Sequence, residues 1–341
     1  MKILIDIGHP AHVHLFKNFA WIMQNKGHKI FFTCREKEHI IYLLDGYGFQ
    51  YKCFGKKYSS YAGKLFGLLK YDVLEFIEGM KFKPDIYLSA GSIYAAHASY
   101  FQKKPHITLE DTGNMEQIKL YLPFTKYVLT STSFHKNLGK KQIRYNSYHE
   151  LAYLHPQYFS PDPDIQYYLG LNSKEKYAVV RFVRWAASHD RNINGLSLQN
   201  KIEIVNNLSK YAKVFISSED EIPEELEKYK INVKPDKMHD VLSSASLLFG
   251  ESGTMTSECA VLGTPAIQIS GLPKGTMGVL REQEEYGLVK VYERYSVDIL
   301  EEAIDMIVED KYLKTRKLRE DIVREKVDLT EYLINFVTNL K

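Results

Sequence analysis

The sequence contains little cysteine, no long apolar run and almost no net charge. Three cysteines, Cys34, Cys53 and Cys259, form no CxxC pair and leave an odd number. This usage argues against a disulfide framework and a structural zinc site, and it suits a reducing compartment. No run of roughly 18 apolar residues is present, so we expect no transmembrane helix. A formal net charge of +3 is too small to indicate a nucleic-acid partner.

The N-terminus also lacks the features of a secretory signal. One lysine precedes a short strand-like run, without a longer apolar core or a small-residue cleavage site. We therefore expect a cytoplasmic protein. The rest of the composition, 45% hydrophobic and 26% charged, is ordinary for a globular chain, and 341 residues are enough for two domains.

The first half of the chain has the pattern of alternating strands and helices. Residues 2–7 form an apolar run, residues 13–26 an amphipathic helix and residues 29–33 a second strand. This order predicts a parallel sheet. The glycine-rich dinucleotide fingerprint is absent from the first turn, which argues against NAD. The histidines around that turn have no carboxylate or cysteine at ligand spacing, so we expect no metal site.

Residues that follow the predicted strands are candidates for catalysis, because strand carboxyl ends border the ligand crevice of parallel sheets. Among the residues after the first strand, His12 is the candidate catalytic base, because an imidazole can act as a base near neutral pH, and Gly8 and His9 are candidate contacts of the bound ligand. Glu110 and Asp111 follow the run at residues 105–109, so two adjacent carboxylates would face the same crevice. A hydrogen-bonded loop role for His9, and a loop-capping role for Glu110, are the alternatives.

A proline-rich connector divides the chain. Three prolines lie between residues 155 and 171, and we place the domain boundary there. The predicted domains are residues 1–160 and 161–320, and residues 321–341 are expected to form a C-terminal helix.

A second parallel pattern begins beyond this connector. Residues 177–182 form a predicted strand, and Arg181 and Arg184 lie near its end. Guanidinium groups suit the geometry of a diphosphate. His189 follows in the same loop. The alternative is that one of the arginines pairs with Asp190 at the surface.

The string FGESGTMTSECAVLGTP, residues 249–265, indicates a strand end, a tight turn, a helix and a second turn. A helix N-terminus after a buried strand offers free N–H groups to a phosphate. Thr254 or Thr256 is the expected N-cap. Glu258 lies about a turn and a half into the helix, where its carboxylate can reach the hydroxyls of a ribose. The candidate phosphate contacts in the turn are Ser252, Gly253 and Thr254, and Glu251 is a further candidate contact of the bound ligand.

Two further stretches are candidates for contacts. Arg281 and Gln283, in a predicted loop and helix at residues 273–285, are candidate sugar contacts. Residues 51–70 carry five lysines and no acid, interleaved with aromatic and aliphatic residues. That composition is typical of a membrane-surface contact. The alternative is a helix packed on its own domain with solvated lysines.

The spacing S-G-T-x-x-x-E-x-x-x-x-G-x-P, residues 252–265, resembles the donor-site signature of GT-B enzymes. It is similar to the spacing in the non-hydrolysing UDP-N-acetylglucosamine 2-epimerases, and the UDP-N-acetylglucosamine transferase of peptidoglycan synthesis has a close variant. The segment GHPAHVHLFKNFA, followed by GHKIFFTCR, resembles the opening of that transferase. This match places His12 on the family's histidine, although Pro10 and Ala11 replace glycines. His189 falls roughly where the epimerases have a histidine.

This resemblance implies an α/β protein of the GT-B class, with two Rossmann-like parallel-sheet domains facing a central cleft. It implies that the C-terminal domain binds a nucleotide diphosphate-sugar, a UDP-sugar being favoured, without a metal or cofactor. The sugar would pass to a glycan or a lipid-linked acceptor, at the inner face of the membrane in the second case. His12 or Asp111 would deprotonate the acceptor, and Arg184 would stabilise the leaving diphosphate. An epimerase that uses Glu110, and a non-catalytic sugar-nucleotide-binding protein, are the alternatives.

Overall fold

The chain forms two compact units, each built on one parallel sheet. Unit 1 comprises Met1–Tyr153 and Val327–Lys341, and unit 2 comprises Leu154–Lys326. The computed structural model describes residues 1–56, 58, 61–173, 175–183, 195–219, 221–271 and 278–340.

Unit 1 contains a seven-stranded sheet in the order β3-β2-β1-β4-β5-β6-β7, and every pair in it is parallel. The order reverses between β1 and β4. At such a reversal, the carboxyl ends of the strands form the ligand-binding edge of an open α/β sheet. The strands are β1 Lys2–Ile7, β2 Lys29–Glu36, β3 Tyr51–Lys56, β4 Ile86–Ala90, β5 His106–Glu110, β6 Tyr127–Ser131 and β7 Gln142–Tyr145.

The helices of unit 1 cover both faces of this sheet. They are α1 Pro10–Asn25, α2 Ile40–Gly46, α3 Tyr61–Phe82, α4 Ile93–Phe101, α5 Met115–Tyr121 and, at the boundary, α6 Leu151–Leu154. Helices α1 and α2 pack together on one face, and α3, α4 and α5 pack side by side on the other. Unit 1 is therefore a three-layer α/β/α arrangement.

Helix α1 begins three residues earlier than the sequence pattern predicts. The side chain of His9 accepts a hydrogen bond from the backbone N–H of Ala11, and Pro10 occupies the first helical turn. A side-chain cap and a proline at this position both favour helix initiation. As a consequence, His12 lies in the first turn of α1, directly after the carboxyl end of β1.

Unit 2 contains a five-stranded sheet in the order β12-β11-β10-β8-β9, again with parallel pairs throughout. Its strands are β8 Tyr177–Phe182, β9 Lys213–Ser218, β10 Leu247–Gly250, β11 Ala266–Ile269 and β12 Val289–Tyr292. Strands β8, β10 and β11 are buried along almost their whole length. Such continuous apolar runs are typical of strands covered on both faces.

Seven α-helices lie in the described part of unit 2 beyond the boundary with unit 1. They are α7 Ile165–Tyr168, α8 Leu198–Leu208, α9 Met238–Ser244, α10 Gly253–Leu262, α11 Gly278–Glu285, α12 Val297–Val308 and α13 Tyr312–Glu325. Helices α8 and α12 bury their apolar residues against one face of the sheet, in one cluster with Val180 and Phe249. Helix α10 packs against α9, α11 and α13.

The last helix, α14 Leu329–Thr338, belongs to unit 1 and packs against α1. Asp328 caps it by accepting the backbone N–H of Glu331, and the hydroxyl of Thr330 donates to the carbonyl of Ala152 at 2.9 Å. The ring of Phe336 lies 5.4 Å from that of Tyr127. Among the described residues, no helix combines the length and apolar character needed to cross a bilayer.

Candidate functional site

In unit 2, the turn between β10 and α10 brings backbone N–H groups to the carboxyl edge of the sheet. A Cβ on Gly250 would lie 2.1 Å from the carbonyl oxygen of Arg181, so only glycine fits this close approach. Ser252 is the N-cap of α10, and its hydroxyl accepts the N–H of Met255 at 3.3 Å. The sequence pattern predicts Thr254 or Thr256 at this position. Thr256 instead donates its hydroxyl to the carbonyl of Ser252, because it already lies inside the helix.

Glu251 is buried and bonded to the backbone of a neighbouring loop. One carboxylate oxygen accepts the N–H of Val183 at 3.1 Å, and the other accepts the N–H of Leu196 at 2.7 Å. These two residues flank residues 184–194. In this structure Glu251 therefore links Val183, directly after β8, to Leu196, shortly before α8.

Glu258 projects from the second turn of α10 and is buried beside His239 of α9. Its Oε1 lies 3.1 Å from Nε2 of His239, and both side chains are less than a tenth exposed. The ring of Phe159 packs edge-on against that of His239. A buried carboxylate beside an imidazole is a suitable hydrogen-bond acceptor for ligand hydroxyls at the N-terminal half of α10.

Arg181 lies beside Gly250 in the sheet and forms an ion pair within unit 2. Its guanidinium donates to the hydroxyl of Ser217 at 2.9 Å and to the carboxylate of Glu219 at 2.6 Å. The pair places a cation at the carboxyl edge of the unit 2 sheet, the edge at which α10 begins. Arg184 and His189, the other two candidates from this loop, lie outside the described residues.

The two candidates on α11 have different environments. Gln283 is fully buried, and its side-chain N–H donates to the hydroxyl of Ser257 on α10 at 2.9 Å. Arg281 is exposed and pairs with Glu285 one turn later at 3.0 Å. The contacts of Gln283 join α11 to α10, and those of Arg281 stay on the surface of α11.

In unit 1, an acid–base cluster lies after the carboxyl ends of β5 and β7. Nδ1 of His149 is 3.0 Å from the carboxylate of Asp111. Partial desolvation by the surrounding protein opposes ionisation of Asp111, but the charge and hydrogen bond of His149, together with the charge of His12, lower the pKa of Asp111 to about 2. Burial likewise disfavours the charged form of His149, and the charge of Asp111 outweighs it, so the pKa of His149 is raised. Asp111 is 43% exposed and therefore accessible from solvent.

Glu110, the neighbour of Asp111, has a different environment. It is buried, and one oxygen accepts the hydroxyl of Thr112 at 2.7 Å and the N–H of Gly113 at 2.9 Å. The other oxygen accepts the hydroxyl of Tyr121 at 2.7 Å. Burial, with the nearby charge of Asp111, raises the pKa of Glu110. Both of its oxygens are thus engaged in holding the loop between β5 and α5.

A buried polar network lies beneath the turn that carries Gly8 and His12. The carboxylate of Asp6 pairs with Arg35 and accepts the hydroxyl of Ser92, the N-cap of α4. A Cβ on Gly8 would lie 3.4 Å from Nη2 of Arg35, so the turn packs directly against the guanidinium. The backbone N–H of Gly8 in turn points to Nδ1 of His12 at 3.4 Å. This network fixes the position of the α1 N-terminus.

The structure thus groups the sequence candidates into two sets, one in each unit. It also identifies two histidines that the sequence pattern does not single out, His149 and His239. Neither belongs to a local motif. His149 could have been found only from the strand order, since it follows β7, whose carboxyl end lies on the same sheet edge as that of β5. No group of three or more metal-binding side chains is found within the described ranges.

Sequence comparisons place the chain in a family and identify a relative. Residues 1–341 match the family described as "Protein of unknown function (DUF354)". The Methanocaldococcus jannaschii protein named "Uncharacterized protein MJ0665" is 24% identical over 300 residues, which are 82% of this chain and 84% of that protein.

Solved structures also share the fold. UDP-GlcNAc 2-epimerase from Neisseria meningitidis bound to UDP-GlcNAc matches with a TM-score of 0.66 and 12% identity over 100% of both chains. SsfS6, a glycosyltransferase from Streptomyces sp. SF2575, matches with a TM-score of 0.61 and 12% identity over 99% of this chain and 100% of that one. The expected GT-B fold is confirmed by these matches and by the two parallel sheets.

Proposed function

The chain belongs to the DUF354 family, and we propose that it is a glycosyltransferase that transfers a sugar from a nucleotide diphosphate-sugar to a hydroxyl group of an acceptor. The acceptor class we propose is a cell-surface glycan or a lipid-linked saccharide. The observation that carries the proposal is the cluster of Asp111, His149 and His12 at the carboxyl edge of the unit 1 sheet.

On the donor side, the proposal rests on the N-terminus of α10. Ser252, Gly253 and Thr254 begin the helix directly after buried β10, so the first-turn N–H groups and the helix dipole favour a diphosphate there. Glu258, one turn further into α10, is paired with His239 of α9, and we assign its carboxylate to the ribose hydroxyls. We favour UDP as the nucleotide because the Neisseria meningitidis structure of this fold is described as bound to UDP-GlcNAc.

On the acceptor side, His12 is the proposed base and Asp111 its charge partner. A carboxyl group with a pKa of about 2 is a weak base but remains an anion at neutral pH. Its charge stabilises the imidazolium that forms when His12 takes the proton of the acceptor hydroxyl. The acceptor oxygen then bonds to the anomeric carbon, and the bond to the diphosphate breaks with its electrons on the departing nucleotide. His149 holds Asp111 in place.

The environment of Glu110 favours transfer over epimerisation. An epimerase that used Glu110 for proton abstraction would need a free carboxylate oxygen. Here three donors, Thr112, Gly113 and Tyr121, occupy its two oxygens. Epimerisation is therefore an outcome that the experiment must exclude and not a second proposal.

The first experiment is a calorimetric screen of the full chain against UDP, GDP, CDP and dTDP, followed by UDP-sugars with and without a panel of saccharide acceptors. We expect UDP to bind, and nucleotide release to require an acceptor. Formation of an epimer without acceptor, or binding without turnover under all conditions, would contradict the proposal.

Matched variants then separate the two sites. His12→Gln should lower the transfer rate by about 10²–10⁴-fold with unchanged UDP affinity, because general base catalysis contributes that much. Glu258→Ala and Arg184→Ala should weaken UDP binding. Glu116→Gln, at an exposed acid of α5, is the control. Unchanged UDP affinity in both donor-side variants would refute the assigned donor site.

A further inference from the structure

Helix α3 presents apolar side chains to solvent along one side. Six large residues on it are between 37% and 63% exposed: Phe66, Leu69, Val73, Phe76, Ile77 and Met80. At about 100° per residue, these positions fall within an arc of about 100°, and they extend over about 20 Å of helix. We call these six residues the α3 face. Monomeric proteins rarely expose such a continuous apolar surface without a partner for it.

The inward side of α3 is already used by the fold. Tyr71 and Glu75 are buried beneath it, and Thr33 of β2 donates to the carboxylate of Glu75 at 3.0 Å. A Cβ on Gly79 would lie 1.9 Å from the hydroxyl of Tyr87, which shows how closely the helix approaches the sheet. The apolar residues of the α3 face therefore lie outside the core of unit 1, and packing within the unit does not account for them.

The apolar surface continues onto the end of α4. The side-chain N–H of Gln102 donates to the carbonyl of Phe76 at 2.9 Å and so joins the end of α4 to α3. Tyr100 and Phe101, next to it in sequence, are both more than half exposed. Lys103 and Lys104 follow directly and are exposed as well.

The charge around this surface is positive. Of the three acids on α3, Glu75 is buried, Asp72 lies 3.1 Å from Nδ1 of His97, and Glu78 pairs with Lys81 at 2.7 Å. An anionic surface has the complementary charge.

We propose that the α3 face, with the exposed rings and lysines at the end of α4, docks the protein on the surface of an anionic phospholipid membrane. The apolar side chains enter the boundary between headgroups and acyl chains, and the lysines lie among the headgroups. The sequence predicts a membrane contact at residues 51–70; the proposed contact overlaps that segment at residues 66–70 and extends to Met80 and the end of α4. This inference does not depend on which reaction the enzyme catalyses.

The test measures partitioning of the full chain onto lipid vesicles by flotation. Vesicles of mixed phosphatidylglycerol and phosphatidylcholine are compared with vesicles of phosphatidylcholine alone. We expect binding to the anionic vesicles, and neutralising Lys103 and Lys104 by Lys→Ser should reduce it by roughly five-fold per lysine.

The apolar part is tested with the double variant Phe66→Ser/Leu69→Ser. Full burial of one large apolar side chain changes a partition coefficient by roughly ten- to a hundred-fold, so this variant should bind at least ten-fold more weakly. The matched control is Leu313→Ser, which removes a leucine of α13 that is 74% exposed. Circular dichroism and thermal unfolding verify that each variant is folded.

Three results would overturn the inference. The first is that the wild-type chain fails to bind anionic vesicles. The second is that the double variant binds as strongly as Leu313→Ser. The third is a dimer in sedimentation velocity that the double variant dissociates, which would make the α3 face an interface between two copies of this chain.

Discussion

Glu251 provides a sharp test of how the loop after β8 is held. Its carboxylate accepts the N–H of Leu196, which is buried, and the N–H of Val183, which is partly buried. Hydrogen bonds to a charged group each contribute about 1.5–3 kcal/mol, and removing the acceptor leaves both amides unpaired. Glu251→Ala should therefore lower the unfolding free energy of unit 2 by about 3–5 kcal/mol. For a unit of this size, that corresponds to a fall in Tm of at least about 6 °C.

The assay is urea and thermal unfolding followed by circular dichroism, with two comparison variants. Glu251→Gln keeps one acceptor oxygen but turns an N–H toward the second amide, so we expect about half the loss. Glu285→Ala removes an exposed acid of the same unit and should change the unfolding free energy by less than about 0.5 kcal/mol. If Glu251→Ala unfolds like Glu285→Ala, the carboxylate does not hold the loop.

UDP affinity distinguishes a loop anchor from a ligand contact. If Glu251 is a loop anchor, Glu251→Ala should lower both the unfolding free energy and the affinity for UDP, because residues 184–194 contain Arg184 and His189. A direct contact predicts a stable variant that binds UDP weakly. The second pattern would refute the reasoning from the structure and restore the binding role suggested by the sequence.

Three further variants test other contacts. Ser252→Ala should cost about 1 kcal/mol in urea unfolding, because it removes the cap of α10. Gly250→Ala should cost about 3 kcal/mol or more, since its Cβ meets the backbone of Arg181; increased sensitivity to limited proteolysis would report this. The pKa of His97 is raised in the folded protein, mainly by its hydrogen bond to Asp72. The charged imidazole therefore stabilises the fold fully below the unfolded-state pKa of 6.5, and this contribution is lost as the pH rises through the pKa of the folded state. His97→Gln should thus cost roughly 0.5–1 kcal/mol more at pH 5.5 than at pH 9 in urea unfolding.

The parallel sheets and the turn before α10 could be predicted from local sequence, because short-range patterns determine them. The apolar run at residues 2–7 gives β1 its observed bounds. The Gly250–Gly253 turn lies between a buried strand and a helix, as its glycines indicate. Helix N-caps were harder to predict, since several neighbouring hydroxyl or imidazole side chains could each accept the first N–H groups of the helix. His9 and Ser252 each become the cap because their backbone is extended.

Contacts between distant residues could not be predicted from the sequence. His149 and Asp111 meet because β5 and β7 lie in the same sheet with only β6 between them, and no local pattern contains the strand order. The burial of Glu258 beside His239 likewise depends on how α9 packs against α10. The outward apolar side of α3 reverses the usual pattern, in which the apolar side of a helix faces the core.

The ends of β5 and β10, where the proposed chemistry lies, share one arrangement of neighbouring side chains. Neighbouring residues of an extended chain point to opposite sides, so two polar residues after a strand receive different environments. Glu110 points inward and holds a loop, whereas the next residue, Asp111, is open to solvent and carries the charge. Glu251 is buried and holds the loop after β8, whereas the next residue, Ser252, caps α10. In both units the buried acid thus positions the loop around the functional residue beside it, so substituting the buried acid should alter the site through geometry and stability together.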